Sequence, residues 1–86
     1  MNKTWSDDAW DDYVYWQAQD KRTLKKINSL IKDIERNGAA TGIGHPERLK
    51  YLKAWSREID EFNRLVYDVL DGAMFIYSCR GHYEDK

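Results

Sequence analysis

The apolar residues of this chain change their spacing once, across a glycine-rich break at residues 37–46, and that change limits the fold to one mixing helices and strands. Before the break, Leu24, Ile27, Ile31 and Ile34 recur at intervals of three and four, with Leu30 widening the stripe. This spacing predicts a helix with one apolar face. Asp20 is placed to cap its start and Gly38 to end it. After the break the interval falls to two: Trp55, Arg57 and Ile59 share one face of a predicted strand, and Ser56, Glu58 and Asp60 the other. Arg64 to Leu70 is a second β-rich run, Asp71-Gly72 is a two-residue hairpin signal, and Ala73 to Arg80 returns as the partner strand.

An earlier helix is also expected. Ser6 can accept a free backbone N–H, and Asp7 and Asp8 suit the positive helix end. Trp10, Tyr13 and Val14 form its expected apolar stripe, and Thr4-Trp5 before it reads as a very short strand. Two helices followed by a meander of strands predict an α+β fold, with the helices packed on one face of a small antiparallel sheet. The 86 residues make one domain, 1–86, able to bury about two-thirds of the unfolded chain's surface. Only seventeen residues are Leu, Ile, Val or Phe, so four Trp and six Tyr must supply much of the core. The aromatic residues of the first helical region (Trp5, Trp10, Tyr13, Tyr15 and Trp16) either all turn inward or leave a face for a second copy.

Fourteen basic and fifteen acidic residues give a net charge of −1, which excludes a molecule-wide field that gathers nucleic acid indiscriminately. A polyanion site must be local. Cys79 is the single cysteine, so neither an intramolecular disulfide nor a thiolate metal cluster is expected. No apolar run approaches a membrane span, and a cytoplasmic setting is the expectation.

Several residue groups could carry chemistry. Lys21, Arg22, Lys25 and Lys26 open the second helix, where they oppose its dipole; they suit a phosphate contact or a solvated face that answers the acidic first helix. Lys50, Lys53, Arg57, Arg64 and Arg80 lie on or beside predicted strands, and a sheet face carrying several of them could hold phosphate. Arg57 shares its face with Trp55 and Ile59, which also fits a place along the core edge. Glu47 and His82 could divide base and acid work in phosphodiester cleavage. His45 and His82 lack the spacing of a zinc site, and Cys79 at a strand position suits a small core residue.

Longer stretches resemble a known family. Trp5-Ser6-Asp7-Asp8-Ala9-Trp10-Asp11-Asp12-Tyr13, Tyr15-Trp16-Gln17, Lys25-Lys26-Ile27-Asn28, Gly42-Ile43-Gly44, Pro46-Glu47, Leu49-Lys50, Trp55-Ser56-Arg57, Asn63-Arg64-Leu65-Val66-Tyr67 and the closing His82-Tyr83 are similar to the YoeB/Txe toxins of the RelE superfamily. The likeness runs nearly the whole chain in register. It implies a microbial-ribonuclease-like fold and a toxin that enters the ribosomal A site and cuts the messenger RNA there, with no metal or other cofactor. It implies Glu47 as the general base on a ribose 2′-OH, His82 as the acid for the leaving 5′-oxygen, and Arg64 as the cation on the charged phosphorane. Lys50 would lie near the scissile phosphate, Arg57 beside the RNA, and Tyr83 would stack or position a base. A YefM-like antitoxin and a homodimer are the implied protein partners. A gyrase-poisoning relative would not need the Glu47–His82 pair.

Three departures from the family pattern stand out. Glu58 follows Arg57 where a second arginine is common, replacing a phosphate-facing cation by an anion. The Lys50-to-Trp55 segment is short, which shifts the expected place of Lys50 or Lys53. Glu84-Asp85-Lys86 extends past the usual His-Tyr end and brings two anions near the expected acid.

Overall fold

Ser6 ends one element and starts the next. In the computed structural model, which describes residues 1–82, its Oγ accepts the Ala9 N–H at 3.0 Å and donates to the Tyr77 carbonyl at 2.9 Å. One hydroxyl thereby caps helix α1 (Asp7–Gln19) and ties it to strand β5 (Ala73–Ser78). Asp20 caps α2 (Lys21–Asn37) by accepting the N–H groups of Arg22 and Thr23, and Gly38 ends it, both as the spacing predicts.

Strands β1 (Asn2–Trp5), β2 (Glu47–Arg48), β3 (Trp55–Glu58), β4 (Arg64–Leu70) and β5 form one sheet in the order β1-β5-β4-β3-β2. The α+β architecture with both helices on the sheet is as expected, but the sheet is mixed rather than wholly antiparallel: β1 runs parallel to β5. A parallel neighbour needs a long crossover, and α1 with the rest of the chain supplies one. The β4–β5 hairpin turns at Asp71 and Gly72, both at positive φ (50° and 75°), the geometry that the Asp-Gly pair favours.

Leu30, Ile34, Leu65, Tyr67, Met74 and Ile76 build the core between helices and sheet, with Cys79 against Ala9. Burial pushes the Cys79 thiol up to about 12, which keeps it protonated and inert. The first helix departs from its expected stripe. Ala9 is its buried contact, joined by Tyr13 and Trp16, whereas Trp10 and Val14 are about half exposed. A small residue at the contact lets the helix axis sit close to β5, which rotates the larger side chains to its flank. Trp10 instead stacks with Tyr13 and meets Trp5 edge-on. Among the described residues no helix is long and apolar enough to cross a membrane.

Arg57 is wholly buried and organises the glycine-rich break. All five of its N–H donors are used: Nε to the Tyr67 hydroxyl, Nη1 to Asp33 and the Ile43 carbonyl, Nη2 to the carbonyls of Gly38 and Thr41. Tyr67 in turn donates to the Ala39 carbonyl. Gly42 is required in this cage, since at φ 135° a Cβ would fall 1.8 Å from the Asp33 carboxylate.

Candidate active site

Alternation along β3 and β4 sorts the site. Arg57, Leu65 and Tyr67 turn toward the helices, so Ser56, Glu58, Arg64 and Val66 turn to the opposite face. Glu47 is the register partner of Ser56 and shares that face. The expected cationic sheet face therefore divides. Arg57 is removed from any RNA contact because it is buried with every donor spent, which corrects the expectation of a nucleic-acid role for it. Arg80 lies with its guanidinium 3.6 Å over the Tyr15 ring. Lys50 sits exposed in the loop between β2 and β3, its Nζ 5.6 Å from the Tyr51 ring centroid. Lys53 is exposed in the same loop.

Arg64 is the centre of the open face. Its Nε donates to Ser56 Oγ at 3.0 Å, Nη2 stands 3.4 Å from Glu47 Oε2, and Nη1 stands 4.0 Å from Glu58 Oε2. Its side chain is only 11% exposed, yet Nη2 is buried without a hydrogen bond among the described residues. A guanidinium donor that faces a carboxylate without a formed hydrogen bond keeps its bonding capacity for an anionic oxygen. Glu47, by contrast, is well exposed, as a group that must reach a substrate should be.

His82 is exposed at the same end of β4 as Arg64. The Arg64 N–H donates to the Gly81 carbonyl at 3.0 Å, so the peptide just before His82 is pinned to the residue that carries the guanidinium. Three expected site residues thus gather around the β4 start: Glu47 and Arg64 by side chain, His82 through its main chain. Tyr83 and the Glu84-Asp85-Lys86 tail lie outside the described residues. Among the described residues, no group of three or more His, Cys, Asp or Glu is placed to hold a metal ion.

Two contributors escape the sequence pattern. Ser56 supplies the oxygen that aims Arg64, which becomes visible only when β3 and β4 are placed in register. Asp33, on α2, is the counter-ion that removes Arg57 from the open face. Its carboxyl is held below the usual range, first by the Arg57 hydrogen bond, with burial working in opposition.

The comparisons with known proteins bear on the family and the fold. Residues 5–83 match the model of the YoeB-like toxin of bacterial type II toxin-antitoxin systems. The chain is 52% identical to toxin YoeB of Escherichia coli K12 over 85 residues, 96% of this chain and all of that one. A solved YoeB dimer from Staphylococcus aureus superposes with a TM-score of 0.92 at 49% identity, covering 96% of this chain and 98% of that one. A heterotetrameric YoeB–YefM toxin–antitoxin complex from the same organism gives 0.90, again at 49% identity and with the same coverage of 96% and 98%. With a family match over residues 5–83, relatives at about half identity and a shared fold, this chain belongs to the YoeB-like toxins of bacterial type II toxin–antitoxin systems.

Proposed function

We propose that this toxin is a ribosome-dependent endoribonuclease that cuts messenger RNA in the A site and so halts translation. The observation that carries the reading is Arg64 Nη2, buried and without a hydrogen bond among the described residues, facing the exposed carboxylate of Glu47 as an ion pair at 3.4 Å. In this scheme Glu47 takes the proton of a ribose 2′-OH, and the freed oxygen attacks the adjacent phosphorus. The P–O5′ bond breaks as His82 gives its proton to the departing oxygen, leaving a 2′,3′-cyclic phosphate and a 5′-hydroxyl. Arg64 meets the charge that grows on the phosphorane, and Lys50 supplies a second cation near the scissile phosphate. Tyr83 stacks on or positions a base beside it. No metal or other cofactor takes part.

An intramolecular nucleophile explains how so few groups suffice, because a fixed in-line geometry supplies much of the acceleration. The near-neutral charge fits a message already held by the ribosome, since the toxin then has no need to bind loose RNA tightly. A YefM-like antitoxin is the proposed protein partner, with a toxin dimer as the assembly unit, in line with the solved staphylococcal complexes. The cytoplasm, where ribosomes work, is the proposed location.

Glu58 favours a second reading. With its carboxylate 4.0 Å from Arg64 Nη1, the phosphate-binding cation faces two anions instead of one. That geometry suits an attenuated toxin, one that binds ribosome or antitoxin and cuts slowly. Programmed ribosomes mixed with purified toxin separate the two. The nuclease reading expects cut message that His82→Ala abolishes; intact message with confirmed ribosome binding leaves the binding module.

A further inference from the structure

The three residues ahead of His82 are all held, Cys79 and Arg80 by α1 and Gly81 by Asn63 and Arg64. Cys79 donates its N–H to Asp12 Oδ2 at 3.0 Å, and its carbonyl accepts from Trp16 Nε1 at 2.8 Å. Arg80 lies over Tyr15. Gly81 is gripped on both sides, its N–H donating to Asn63 Oδ1 at 2.8 Å and its carbonyl accepting from the Arg64 N–H at 3.0 Å.

Asn63 is itself braced. Its Nδ2 lies 3.1 and 3.2 Å from the two oxygens of Asp60, which also accepts the N–H groups of Phe62 and Asn63 at 2.8 Å each. The Asn63 carbonyl accepts from Ile59 at 2.9 Å. The Asp60 carboxylate takes the N–H groups of Phe62 and Asn63, and the Asn63 main-chain carbonyl those of Ile59 and Asp60, so none of these bonds in the turn between β3 and β4 uses the Asn63 side-chain oxygen. The Asn63 oxygen aimed at Gly81 is therefore additional to what the turn requires.

We propose that Asn63 is a positioning residue whose carboxamide, acting through Gly81, sets where the His82 imidazole stands relative to the Arg64 guanidinium. The inference rests on the reading of His82 as the general acid. Asn63 and Arg64 are consecutive, and between them they hold both polar groups of the peptide unit's residue preceding His82. Without the Asn63 oxygen, Gly81 keeps a single bond and can pivot about its carbonyl, carrying the imidazole away from the leaving oxygen. A misplacement on the order of 1 Å costs roughly a hundredfold in rate.

The discriminating experiment uses two programmed messages, one ordinary and one with a 5′-bridging sulfur at the cut linkage. Sulfur leaves as a thiolate and needs little help from an acid, whereas the alkoxide needs a proton. Asn63→Ala is expected to cut the ordinary message about tenfold to a hundredfold more slowly in single turnover, and the sulfur message within about threefold of wild type. Equal losses on both messages would reduce Asn63 to a structural role and overturn the proposal. So would an unchanged rate on the ordinary message while His82→Ala is inactive. If the alanine variant does not fold, Asn63→Gln carries the same test, because it keeps the carboxamide and moves its oxygen by one methylene. Should His82→Ala cut ordinary message at the wild-type rate, the acid assignment itself fails and this proposal falls with it.

Discussion

Arg64 and Glu47 meet across a strand that neither belongs to: Nη2 and Oε2 are 3.4 Å apart, although β2 and β4 both pair with β3 and not with each other. The guanidinium crosses β3 over Ser56, whose side chain is small enough to pass beneath and whose hydroxyl accepts Nε. Cation and carboxylate are therefore fixed to one another by register rather than by neighbouring positions in the chain.

Glu47→Gln removes the proposed proton acceptor with little change in shape. Cleavage of ribosome-bound message is expected to fall by about 10²- to 10⁴-fold. Because the Glu47 side chain is 69% exposed, the lost ion pair should change unfolding free energy by less than about 1 kcal/mol. Single-turnover cleavage and urea melts read the two effects separately. A large stability loss would mean that the carboxylate mainly props up the sheet edge.

Glu58→Gln is expected to do the reverse. It removes an anion 4.0 Å from Arg64 Nη1 and returns that charge to the substrate phosphate. A screened pair of this kind is worth up to roughly 1 kcal/mol, so the cleavage rate should rise by about fivefold at most, and further in Glu58→Arg. Unchanged rates in both variants would show that the family's second arginine is dispensable here.

Much of the frame was legible because local chemistry announces itself: Ser6 and Asp20 as caps, Gly38 as a stop, Asp71-Gly72 as a hairpin. What failed depends on partners remote in sequence. The parallel pairing of β1 cannot be read from four residues, since alternation carries no strand direction. On α1, hydrophobicity points inward through Trp10 and Val14, while close packing selects Ala9. Arg57 and Arg64 look alike as strand arginines. Their parity separates them, and only Asp33 from α2 shows which parity is internal. The resemblance supplies the proposed roles of Glu47 and His82, which spacing alone does not.

Arg57→Met tests that distinction. The change keeps a long side chain but strands the Asp33 carboxylate and the carbonyls of Gly38, Thr41 and Ile43. Breaking a buried pair from one side costs about 3–5 kcal/mol, enough to unfold many small domains. Urea denaturation should show the loss directly. A stable Arg57→Met protein with reduced RNA cleavage would instead return Arg57 to the substrate.

The same pair makes stability depend on acid. Hydrogen bonding from Arg57 first, then from the Ile43 N–H, holds the Asp33 carboxyl below its ordinary range. Asp20 is lowered likewise, chiefly by the Thr23 hydroxyl, and Glu35 by Lys3. For a group whose folded pKa is depressed, the unfolded chain takes up protons first as pH falls. The stabilisation is complete above the ordinary carboxylate range, near about 4, and is lost as pH drops through the depressed folded values. Asp12 acts in the other direction, since burial raises its carboxyl and favours the protonated form. With three lowered groups against one raised, the urea midpoint should fall on acidification below about pH 4. Asp33→Asn should be less stable at neutral pH yet lose less on acidification, because the group that titrates is gone. Parallel wild-type and variant profiles would place the acid sensitivity elsewhere in the molecule.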